Sequence, residues 1–516
     1  MRASLAHLDG RRFDAVVIGA GVNGASAAQH LAAAGYATLL VDKGDFCSGS
    51  SSRSSRLLHC GLRYLAPGGS MWDFARHPSR LKTALTMARQ AMLSRRQFVR
   101  TSPERARALD FHFPIWRGGA YAGWQVELAM RLLAGLAPAD VPLGRRRLTP
   151  SQAAQTPLVR WLRDFDRLES VAAFTEYQFD WPERICMDAA LDAERLGATI
   201  RNYTPVMGLA RAGERWNVGL SDALAPGERA TVSAGVVLNM AGIWIDRVNA
   251  SAQAGARRKI TGTKGVHIVV QLPPECADNG VATLNREMEG LYCIPWRGMH
   301  YFGPTETLFD DDPDDIRPTE DEIRWLIDEA NYLLPSLNLK RKDVFYSWAG
   351  VRPLTYDPAL PKGKRSRELH DLTDEGMPNV FAMTAGPVMT HRSAGAMVVE
   401  AVRGAVAPSG AARDVSYAPR RFPENQNSPP LLMDDPAVKL SDLRFAVERE
   451  QAINLVDLLF RRVGAGWTRD MASQAAPVAA RIMGETLGWD EARVAAEIAA
   501  YHAHLARQHA FPGPAA

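Results

Sequence analysis

Cysteine and unbalanced charge are both scarce in this sequence. Five cysteines occur among 516 residues, and none of them lies in a C-x-x-C or Cys/His spacing. We therefore expect neither a disulfide framework nor a zinc site or other metal site. Because 61 basic residues stand against 57 acidic ones, the net charge is only +4, and composition does not predict a nucleic-acid partner.

Long apolar runs are missing as well. No stretch reaches the roughly 18 uncharged apolar residues of a membrane-spanning helix, and the first residues lack the apolar core of a signal peptide. We expect a cytoplasmic protein, with attachment to a membrane surface left open. What is present, 46% hydrophobic and 23% charged residues over 516 positions, is typical of a soluble globular enzyme of two or three domains.

A dinucleotide-binding motif lies near the start of the chain. Gly19, Gly21 and Gly24 have G-x-G-x-x-G spacing between a short apolar run, residues 15–18, and an alanine-rich stretch, residues 25–34. A strand, a tight turn and a helix therefore coincide. The first glycine permits the turn, the second admits a pyrophosphate close to the backbone, and the third lets the helix pack on the strand. The phosphates would lie at the positive N-terminus of the helix.

An acidic residue completes this unit. Asp42 ends the next apolar run, residues 37–41, at about the 20-residue distance from the glycines that the motif requires. Its carboxylate can accept a hydrogen bond from a ribose hydroxyl, and it disfavours the 2′-phosphate of NADP. The motif alone does not choose between FAD and NAD.

A segment rich in serine, residues 49–65, follows this unit. One interpretation is a flexible serine loop. The other is that its short hydroxyl side chains and amides meet phosphate, while Arg63 and Tyr64 turn toward a substrate.

Within this segment, SSRSSRLLHCGLRYL resembles the FAD-dependent, quinone-linked glycerol-3-phosphate dehydrogenases, members of the superfamily of glycine-oxidase and D-amino-acid-oxidase-like flavoproteins. The segment departs from the family at Cys60, where a second glycine is usual. The likeness extends over nearly the full chain. It implies FAD as the cofactor, a polyol phosphate as the substrate and a quinone as the electron acceptor.

The resemblance and the apolar periodicities predict an α/β fold with a discontinuous Rossmann-like FAD-binding domain, an antiparallel-sheet substrate domain and a helical C-terminal cap. For the cap we expect packing and homodimer contacts. The predicted boundaries are 13–85, 166–262 and 346–407 for the FAD-binding domain, 263–345 for the substrate sheet, 408–436 for a linker and 437–510 for the cap. Residues 86–165 are predicted to be a helical insertion of the substrate domain, with a membrane-facing role left open.

Further cofactor contacts are implied by the resemblance. Later turns, at Ala241 with Gly242 and at Gly386, would line the groove together with the first glycine turn. From the sequence alone Val206 is a strand valine, but the family recognises adenine at this place. The implied cofactor-binding residues are Gly19, Gly21, Asn23, Gly24, Asp42, Ser51, Ser52, His59, Val206, Ala241, Gly242, Gly386, Met389 and Thr390.

Two residues are predicted to be catalytic. His267 lies in a KGxHIV motif, where the family's histidine points into the substrate pocket; without the motif, a single strand histidine is more often packed than catalytic. It would accept the hydroxyl proton of a secondary alcohol while hydride passes to the flavin. Arg352, held between Gly350 and Pro353, would orient the alcohol oxygen and stabilise its developing charge.

The anionic end of the substrate would be held by Arg63 and Arg367, beside Tyr64 and His391. Arg367 resembles the arginine of the family's S-R-D-H segment. A solvated basic loop explains the same KGKRSR stretch equally well.

The turn before His391 departs from the family. AGPVMTHR stands where GGK[LW]TT[YF]R is usual, so Pro387 replaces a lysine and Met389 a threonine. A charge-assisted contact contributes about 1.5–3 kcal/mol, or tenfold to more than a hundredfold in affinity. The change argues against glycerol 3-phosphate itself. Another polyol phosphate, an unphosphorylated polyol or hydroxy acid, and a non-catalytic FAD-binding partner protein all stay open.

Residues 122–137 predict a helix in which Trp124, Leu128, Leu132 and Leu136 recur at four-residue steps. A row facing the core is the favoured interpretation, and an interfacial membrane helix is the alternative, because both use an apolar stripe. The family is monotopic, which implies peripheral attachment to the inner face of the cytoplasmic membrane.

Overall fold

The computed structural model describes residues 2–65, 76–253 and 255–513. The side chain of Arg63 lies outside the described part, as do residues 66–75 within the predicted first segment of the FAD-binding domain. The assignment of Arg63 to substrate binding therefore stays a prediction.

The strands form two large sheets and one small one. In chain order they are β1 (Arg12–Ile18), β2 (Thr38–Val41), β3 (Leu57–Leu58), β4 (Ala106–Trp116), β5 (Arg146–Leu148), β6 (Leu168–Phe179), β7 (Thr199–Arg201), β8 (Val206–Ala212), β9 (Arg215–Ser221), β10 (Arg229–Asn239), β11 (Ile260–Val270), β12 (Asn279–Leu284), β13 (Gly290–Trp296), β14 (Met299–Gly303), β15 (Thr307–Leu308), β16 (Val344–Thr355), β17 (Glu368–Asp371), β18 (Val380–Thr384), β19 (Pro430–Leu432) and β20 (Val438–Lys439).

The α-helices alternate with the first sheet and then dominate the end of the chain. They are α1 (Val22–Ala33), α2 (Leu62–Leu65), α3 (Pro78–Thr101), α4 (Gly123–Leu136), α5 (Pro150–Ala153), α6 (Pro182–Arg195), α7 (Ile245–Ala252), α8 (Glu320–Leu333), α9 (His391–Arg403), α10 (Leu440–Arg449), α11 (Ala476–Leu487) and α12 (Glu491–His509).

The first sheet has the predicted Rossmann-like arrangement. Its order is β17-β18-β10-β1-β2-β7, with β18 to β7 parallel, β17 antiparallel at one edge, and the β8–β9 pair extending from β10. Its central strands are rich in Val, Ile and Leu because both faces of a parallel sheet are covered. α1 packs against both α6 and α9. The glycine turn after β1 thus lies at the carboxyl edge of the sheet, where such folds bind dinucleotides.

The second sheet is almost entirely antiparallel. Its order is β15-β11-β14-β13-β12-β4-β6-β3, with β16 beside β11 and β5 beside β6; among these pairs only β12–β4 is parallel. A long ladder joins β11 to β16. The predicted fold class, an α/β protein with a second, antiparallel sheet and a helical C-terminal region, is confirmed.

Five strands of the second sheet lie outside the segment predicted for that sheet. β4 and β5 interrupt the predicted helical insertion of residues 86–165, while β3, β6 and most of β16 fall in segments predicted for the FAD-binding domain. The 11 residues of β4 lie between helices of 24 and 14 residues, α3 and α4, which dominate the periodicity of this region. For β6 and β16 the reason is different, since a period of two identifies a strand but not the sheet that it joins.

The apolar row of α4 faces away from the core, so the favoured interpretation is wrong. Trp124, Leu128 and Leu132 are 61%, 41% and 39% exposed. The helix is apolar on two sides, and periodicity alone does not decide which side is buried. Within the described ranges, no helix is long and apolar enough to cross a bilayer. The residues that α4 does bury include Val126, Ala129, Met130 and Leu133.

The helical C-terminal cap contains α10 to α12 and a π-helical turn, Asp457–Arg462. The stretch predicted as a linker, residues 408–436, is irregular apart from β19 and lies along the nucleotide-binding domain. The amide of Gly410 donates to the carbonyl of Gly35 at 2.8 Å, and that of Arg413 donates to Ala33 at 2.6 Å.

Buried charges join the cap to the loop that follows β2. Arg462 donates to both carboxylate oxygens of Asp45, at 2.7 and 2.8 Å, and Arg461 donates to the same carboxylate. Burial alone would raise the pKa of Asp45, but the guanidinium groups of Arg462 and Arg461 outweigh it and hold the pKa well below its usual range. The loop that carries Asp42 is therefore held by an ionic contact with the cap.

Asp45→Asn is expected to destabilise the protein, because two buried guanidinium groups lose their carboxylate. Breaking such a pair costs about 3–5 kcal/mol, so the midpoint of thermal unfolding should fall by several degrees. A carboxylate with a depressed pKa stabilises the fold at every pH above its unfolded value of about 3.9 and loses this effect in acid. The fall should therefore be the same at about pH 6 and about pH 8.

Asp321→Asn is the matched control for this experiment. The Asp321 side chain is 93% exposed and pairs with Arg324 of the same helix at 3.4 Å, so its loss should change the stability by less than about 1 kcal/mol. Equal midpoints for Asp45→Asn and the unaltered protein would contradict the ionic contact with the cap.

Candidate active site and cofactor groove

The first glycine turn is closed by backbone contacts. A Cβ at Gly19, where φ is +99°, would lie 2.7 Å from the carbonyl oxygen of Met240, and a Cβ at Gly24 would lie 1.8 Å from that of Gly19. Side chains larger than hydrogen do not fit at these two positions. The glycines thus bring the turns after β1 and β10 into direct contact.

The N-terminus of α1 is open toward the serine segment. Gly21 is the N-cap and has no side chain to cap the helix, and the amide of Val22 donates to Ser51 Oγ at 3.0 Å. Ser52 instead donates to the carbonyl of Gly49 at 2.9 Å, within its own turn. Of these two predicted serines, Ser51 is the one at the helix end, where a pyrophosphate would lie.

Asp42 lies beside the start of β8. Its carboxylate accepts hydrogen bonds from the amides of Ala20 at 2.7 Å and Gly44 at 2.9 Å. Burial raises the pKa of Asp42, and these two amides offset part of the rise. The amide of Thr204 donates to the Asp42 carbonyl at 2.6 Å, which places Val206 close by. Ribose and adenine would extend along this edge from the pyrophosphate.

The turns after β18 and β10 lie at the same edge. Asn23 Nδ2 donates to the carbonyl of Gly386 at 2.7 Å, and a Cβ at Gly386 would lie 2.4 Å from that nitrogen. After β10, the amide of Ala241 donates to Asn239 Oδ1 at 3.2 Å, and Gly242 has a φ of +57°. Three turns that are far apart in the chain therefore form one groove.

The groove fits a flavin dinucleotide. It offers an uncapped helix N-terminus for the pyrophosphate and the Asp42 carboxylate for the ribose. Asn23 Oδ1 is buried and has no hydrogen-bond partner among the described residues, which leaves an acceptor at the third turn. Two predicted contacts lie elsewhere: the Met389 side chain packs in the cluster of Phe98, and the His59 ring lies 6.0 Å from that of Tyr292.

His267 and Arg352 lie on one face of the β11–β16 ribbon. His267 is opposite Trp348, and Gly265 is opposite Gly350, so these residues and Arg352 share a face by strand alternation. The two glycines allow close packing on this face, since a Cβ at Gly350 would lie 2.6 Å from the carbonyl oxygen of Arg53. A Cβ at Gly265 would lie 2.9 Å from Arg352 Nη2.

The His267 ring is held by its neighbours. It stacks on Trp348 with 4.7 Å between ring centroids and meets the edge of Tyr301 at 5.7 Å. Its Nε2 lies 3.1 Å from Ser55 Oγ, and its buried Nδ1 has no hydrogen-bond partner in the described ranges. Gly303 is required beside it, because a Cβ there would lie 2.7 Å from the ring carbon Cδ2.

Burial and two cations keep His267 neutral. Burial lowers the pKa of His267 well below 6.5, and the charges of Arg352 and Arg56 lower it further. A neutral imidazole can accept a proton at physiological pH. The role predicted for His267 requires this protonation state.

Arg367 reaches the turn that follows β18. Its Nη1 donates to the carbonyl of Thr390 at 2.9 Å and to Ser393 Oγ at 3.0 Å. Burial lowers its pKa. The solvated-loop interpretation fits its neighbour Lys364, whose exposed ammonium pairs with Asp357 at 2.9 Å. The assignment of Arg367 to the anionic end of a substrate stays a prediction.

His391 is packed in the interior, which does not fit the predicted substrate contact. It is 3% exposed, its Nδ1 lies 2.7 Å from the carbonyl oxygen of Val388, and its ring meets that of Phe98 at 6.4 Å. Burial lowers the pKa of His391 to about 3. His391 is therefore neutral and does not replace the charge of the family's lysine. Tyr64, also predicted here, packs half-buried against the Phe98 cluster.

Sequence reasoning missed Arg56 and Glu183. Arg56 is fully buried, and its guanidinium carbon lies 4.2 Å from the ring centroid of Trp296 and 4.4 Å from that of Trp467. Arg56 stands within the serine segment of the sequence, but the residues that contact its side chain come from distant segments of the chain. No local pattern in the sequence connects them.

Comparison with known families supports the groove and the cap independently. The family described as FAD dependent oxidoreductase matches residues 14–401. A second family, described as the C-terminal domain of alpha-glycerophosphate oxidase, matches residues 416–494.

Curated relatives and solved structures agree with these matches. The chain is 32% identical over 406 residues to a glycerol-3-phosphate dehydrogenase of Synechocystis sp., which covers 76% of this chain and 70% of the relative. An aerobic glycerol-3-phosphate dehydrogenase of Staphylococcus haemolyticus is 28% identical over 399 residues, 76% of this chain and 67% of the relative.

Among solved structures, the glycerol-3-phosphate dehydrogenase from Bacillus halodurans complexed with FAD has a TM-score of 0.73 at 20% identity and covers 98% of this chain and 96% of its own. The L-alpha-glycerophosphate oxidase from Mycoplasma pneumoniae with FAD bound has a TM-score of 0.61 at 17% identity, over 80% of this chain and 100% of its own. At these identities the two structures establish the fold.

Gly24→Ala is expected to prevent flavin binding, because the new methyl group would lie 1.8 Å from the Gly19 carbonyl and force the turn open. The ratio of flavin absorbance to protein absorbance after purification should fall at least about tenfold, the equivalent of about 1.4 kcal/mol of binding free energy. Gly208→Ala on β8 is the control, since a Cβ there would meet nothing within 4 Å. A yellow Gly24→Ala protein would show that the turn does not hold the cofactor.

Proposed function

Because the chain belongs to the FAD-dependent oxidoreductases, and within them to the FAD-dependent glycerol-3-phosphate dehydrogenases, we propose that it oxidises the secondary alcohol of glycerol 3-phosphate or a related polyol phosphate. The observation that carries this proposal is the β11–β16 face, where His267 and Arg352 are separated by Gly265 and Gly350. An alcohol that reaches both side chains would meet a proton acceptor and a cation together.

Each residue of this face has a distinct task. FAD supplies the hydride acceptor. The neutral His267 takes up the hydroxyl proton, and Ser55, 3.1 Å from its Nε2, holds the ring in one orientation. Arg352 orients the alcohol oxygen and stabilises the negative charge that develops on it. Tyr301 and Trp348 enclose the imidazole and exclude water from it.

The anionic end of the substrate is assigned to Arg367, together with Arg63 as predicted. Arg367 supports this assignment because it lies against the Thr390 carbonyl at the turn after β18, with its buried Nε unpartnered among the described residues. Pro387 in the same turn offers no charge where the family has lysine. This substitution favours a second candidate, an unphosphorylated polyol or hydroxy acid.

Anaerobic bleaching of the flavin by candidate substrates tests the proposal. Sn-glycerol 3-phosphate is expected to reduce the bound flavin, whereas glycerol and simple 2-hydroxy acids at the same concentration should not, because Arg367 and Arg63 recognise an anionic group remote from the alcohol. Bleaching by glycerol or a hydroxy acid alone would favour the second candidate. Absence of bleaching by every compound would contradict an enzymatic role.

A Pro387→Lys variant tests how the anionic end is held. Restoring the cation should lower the KM for glycerol 3-phosphate about tenfold or more, the equivalent of one charge-assisted contact. Pro423→Lys, in the exposed part of the segment that leads to the cap, adds the same charge away from the site and should leave KM unchanged. An unchanged KM in Pro387→Lys would argue against a phosphate in this part of the pocket.

The exposed row of α4 supports peripheral attachment to a membrane and electron transfer to a quinone. Trp124, Leu128 and Leu132 leave a large apolar surface in water, and such rows bind at the boundary of headgroups and acyl chains. Arg131, on the same helix and 67% exposed, would remain among the headgroups. A row of this kind on the cytoplasmic side would bring the flavin enzyme to a lipid-soluble acceptor.

Replacing Trp124, Leu128 and Leu132 together by serine is expected to weaken sedimentation with anionic phospholipid vesicles by at least about tenfold, because the loss of apolar burial exceeds 1.4 kcal/mol. Oxidation measured with a soluble dye acceptor should be unchanged. Met207→Ser with Leu224→Ser, two exposed apolar residues on another part of the surface, is the control. Equal vesicle binding of the triple variant would contradict the assignment. Sedimentation of the protein without vesicles measures its oligomeric state, and so tests whether the exposed row of α4 or the cap forms a homodimer contact.

A further inference from the structure

A buried ion pair lies behind the serine segment and has no part in the chemistry assigned above. Arg56 and Glu183 are both 0% exposed, and their closest nitrogen–oxygen distances are 3.4 and 3.5 Å. These contacts are long for a charge-assisted pair. Arg56 Nε is buried without a partner among the described residues, while Glu183 also accepts from Trp467 Nε1 at 3.0 Å. Arg56 Nη2 also donates to the carbonyl of Ser52, at 3.4 Å, which is again a long contact.

Three indoles enclose the Arg56 guanidinium. Its central carbon lies 4.2 Å from the ring centroid of Trp296, 4.4 Å from that of Trp467 and 5.5 Å from that of Trp348. Aromatic faces stabilise a cation that has lost its water. Trp348 is also the ring on which His267 stacks at 4.7 Å. Arg56 and His267 are therefore close enough for charge on one to act on the other at low dielectric.

The same residue holds Ser55 in place. Arg56 has a left-handed backbone conformation, with φ +55°, and its amide donates to Ser54 Oγ at 3.1 Å. The carbonyl of Ser55 accepts from the Tyr301 hydroxyl at 2.8 Å. The backbone of Ser55 is therefore anchored on both sides, and its Oγ lies 3.1 Å from His267 Nε2.

We propose that the Arg56–Glu183 pair is a positioning element of the active site, which fixes Ser55 against His267 and keeps that imidazole in its proton-accepting form. The role of this pair in catalysis rests on the proposed function. The pair differs from a purely structural ion pair in one respect: its positive charge, which Glu183 compensates through long contacts only, acts on the general base.

The groups that face His267 support this direction of the effect. Arg352 on β16 and Arg56 in the serine segment both lower the pKa of His267, whereas Tyr301 and Ser55 are uncharged partners. From the cap, His509 lies near Arg56, and burial holds its own pKa well below 6.5, so it adds no charge. Glu183 affects the pKa of His267 indirectly, because its carboxylate partly neutralises the charge of Arg56.

Two sets of charge changes separate this role from a structural one. Arg56→Met combined with Glu183→Gln removes both charges, so the pKa of His267 should rise by about one unit and the acid limb of the flavin-reduction rate should move to higher pH. Glu183→Gln alone leaves the cation less compensated, so the limb should move to lower pH. A structural defect would lower the rate at every pH without opposite displacements of the limb.

A second readout does not depend on turnover. The imidazole of His267, identified by the signal lost in His267→Gln, can be titrated by NMR in protein with isotope-labelled histidine. Its pKa should change in the same directions as the acid limb. Arg56→Lys keeps the charge and should keep the pH profile, even if the weaker packing of an ammonium group among three indoles lowers the rate.

Glu450→Gln is the matched control variant. It breaks the neighbouring buried pair, in which Arg184 Nη1 donates to Glu450 at 2.6 Å, and should lower stability without moving the limb. Unchanged His267 titration in both Arg56→Met/Glu183→Gln and Glu183→Gln would overturn the proposal. If no polyol phosphate reduces the flavin of the unaltered protein, the proposed function fails, whereas the NMR titration still decides the role of the ion pair.

Discussion

The burial of Asp45 between Arg461 and Arg462 is the contact on which the rest of the site depends. It joins the C-terminal cap to the loop that begins with Asp42 and continues into the serine segment. Taking these charges out of water is costly, and the cost is offset only because the carboxylate and both guanidinium groups are paired with each other. The cap is thereby part of the nucleotide-binding architecture. Because the cap contacts this loop through Asp45, the serine side chains of the loop are left available to a cofactor.

Ser51 to Arg56 then connect the cofactor groove to the chemistry. Ser51 meets the N-terminus of α1, Ser55 meets His267, and Arg56 is buried among indoles from the second sheet and the cap. The interpretation as a flexible serine loop is thus replaced by a short, fully engaged segment. In the proposed function its two ends would serve different molecules, phosphate at one end and the reacting alcohol at the other. One rigid segment therefore sets the distance between them.

The substrate end of the site departs from the family's sequence pattern at the turn after β18. Pro387 removes a cation from the turn after β18, and His391 cannot restore it because its pKa is about 3 in the interior. Arg367 is the described cation that touches the same turn. A pocket with fewer positive charges holds a dianion less strongly, so a weaker affinity for the anionic end of the substrate, with unchanged oxidation chemistry, is expected to distinguish this protein from its relatives.

The sequence by itself determined the glycine turn, the position of Asp42 after β2, the strand position of His267, and the helical cap. Backbone sterics and apolar period depend on residues close together in the chain, so these features could be predicted. Only the tertiary structure decided that β4, β6 and β16 join the second sheet, that the Trp124 row of α4 faces outward, and that His391 is packed while Arg56 and Asp45 are enclosed by partners. Burial and charge compensation arise between segments far apart in the chain, and no local pattern carries that information.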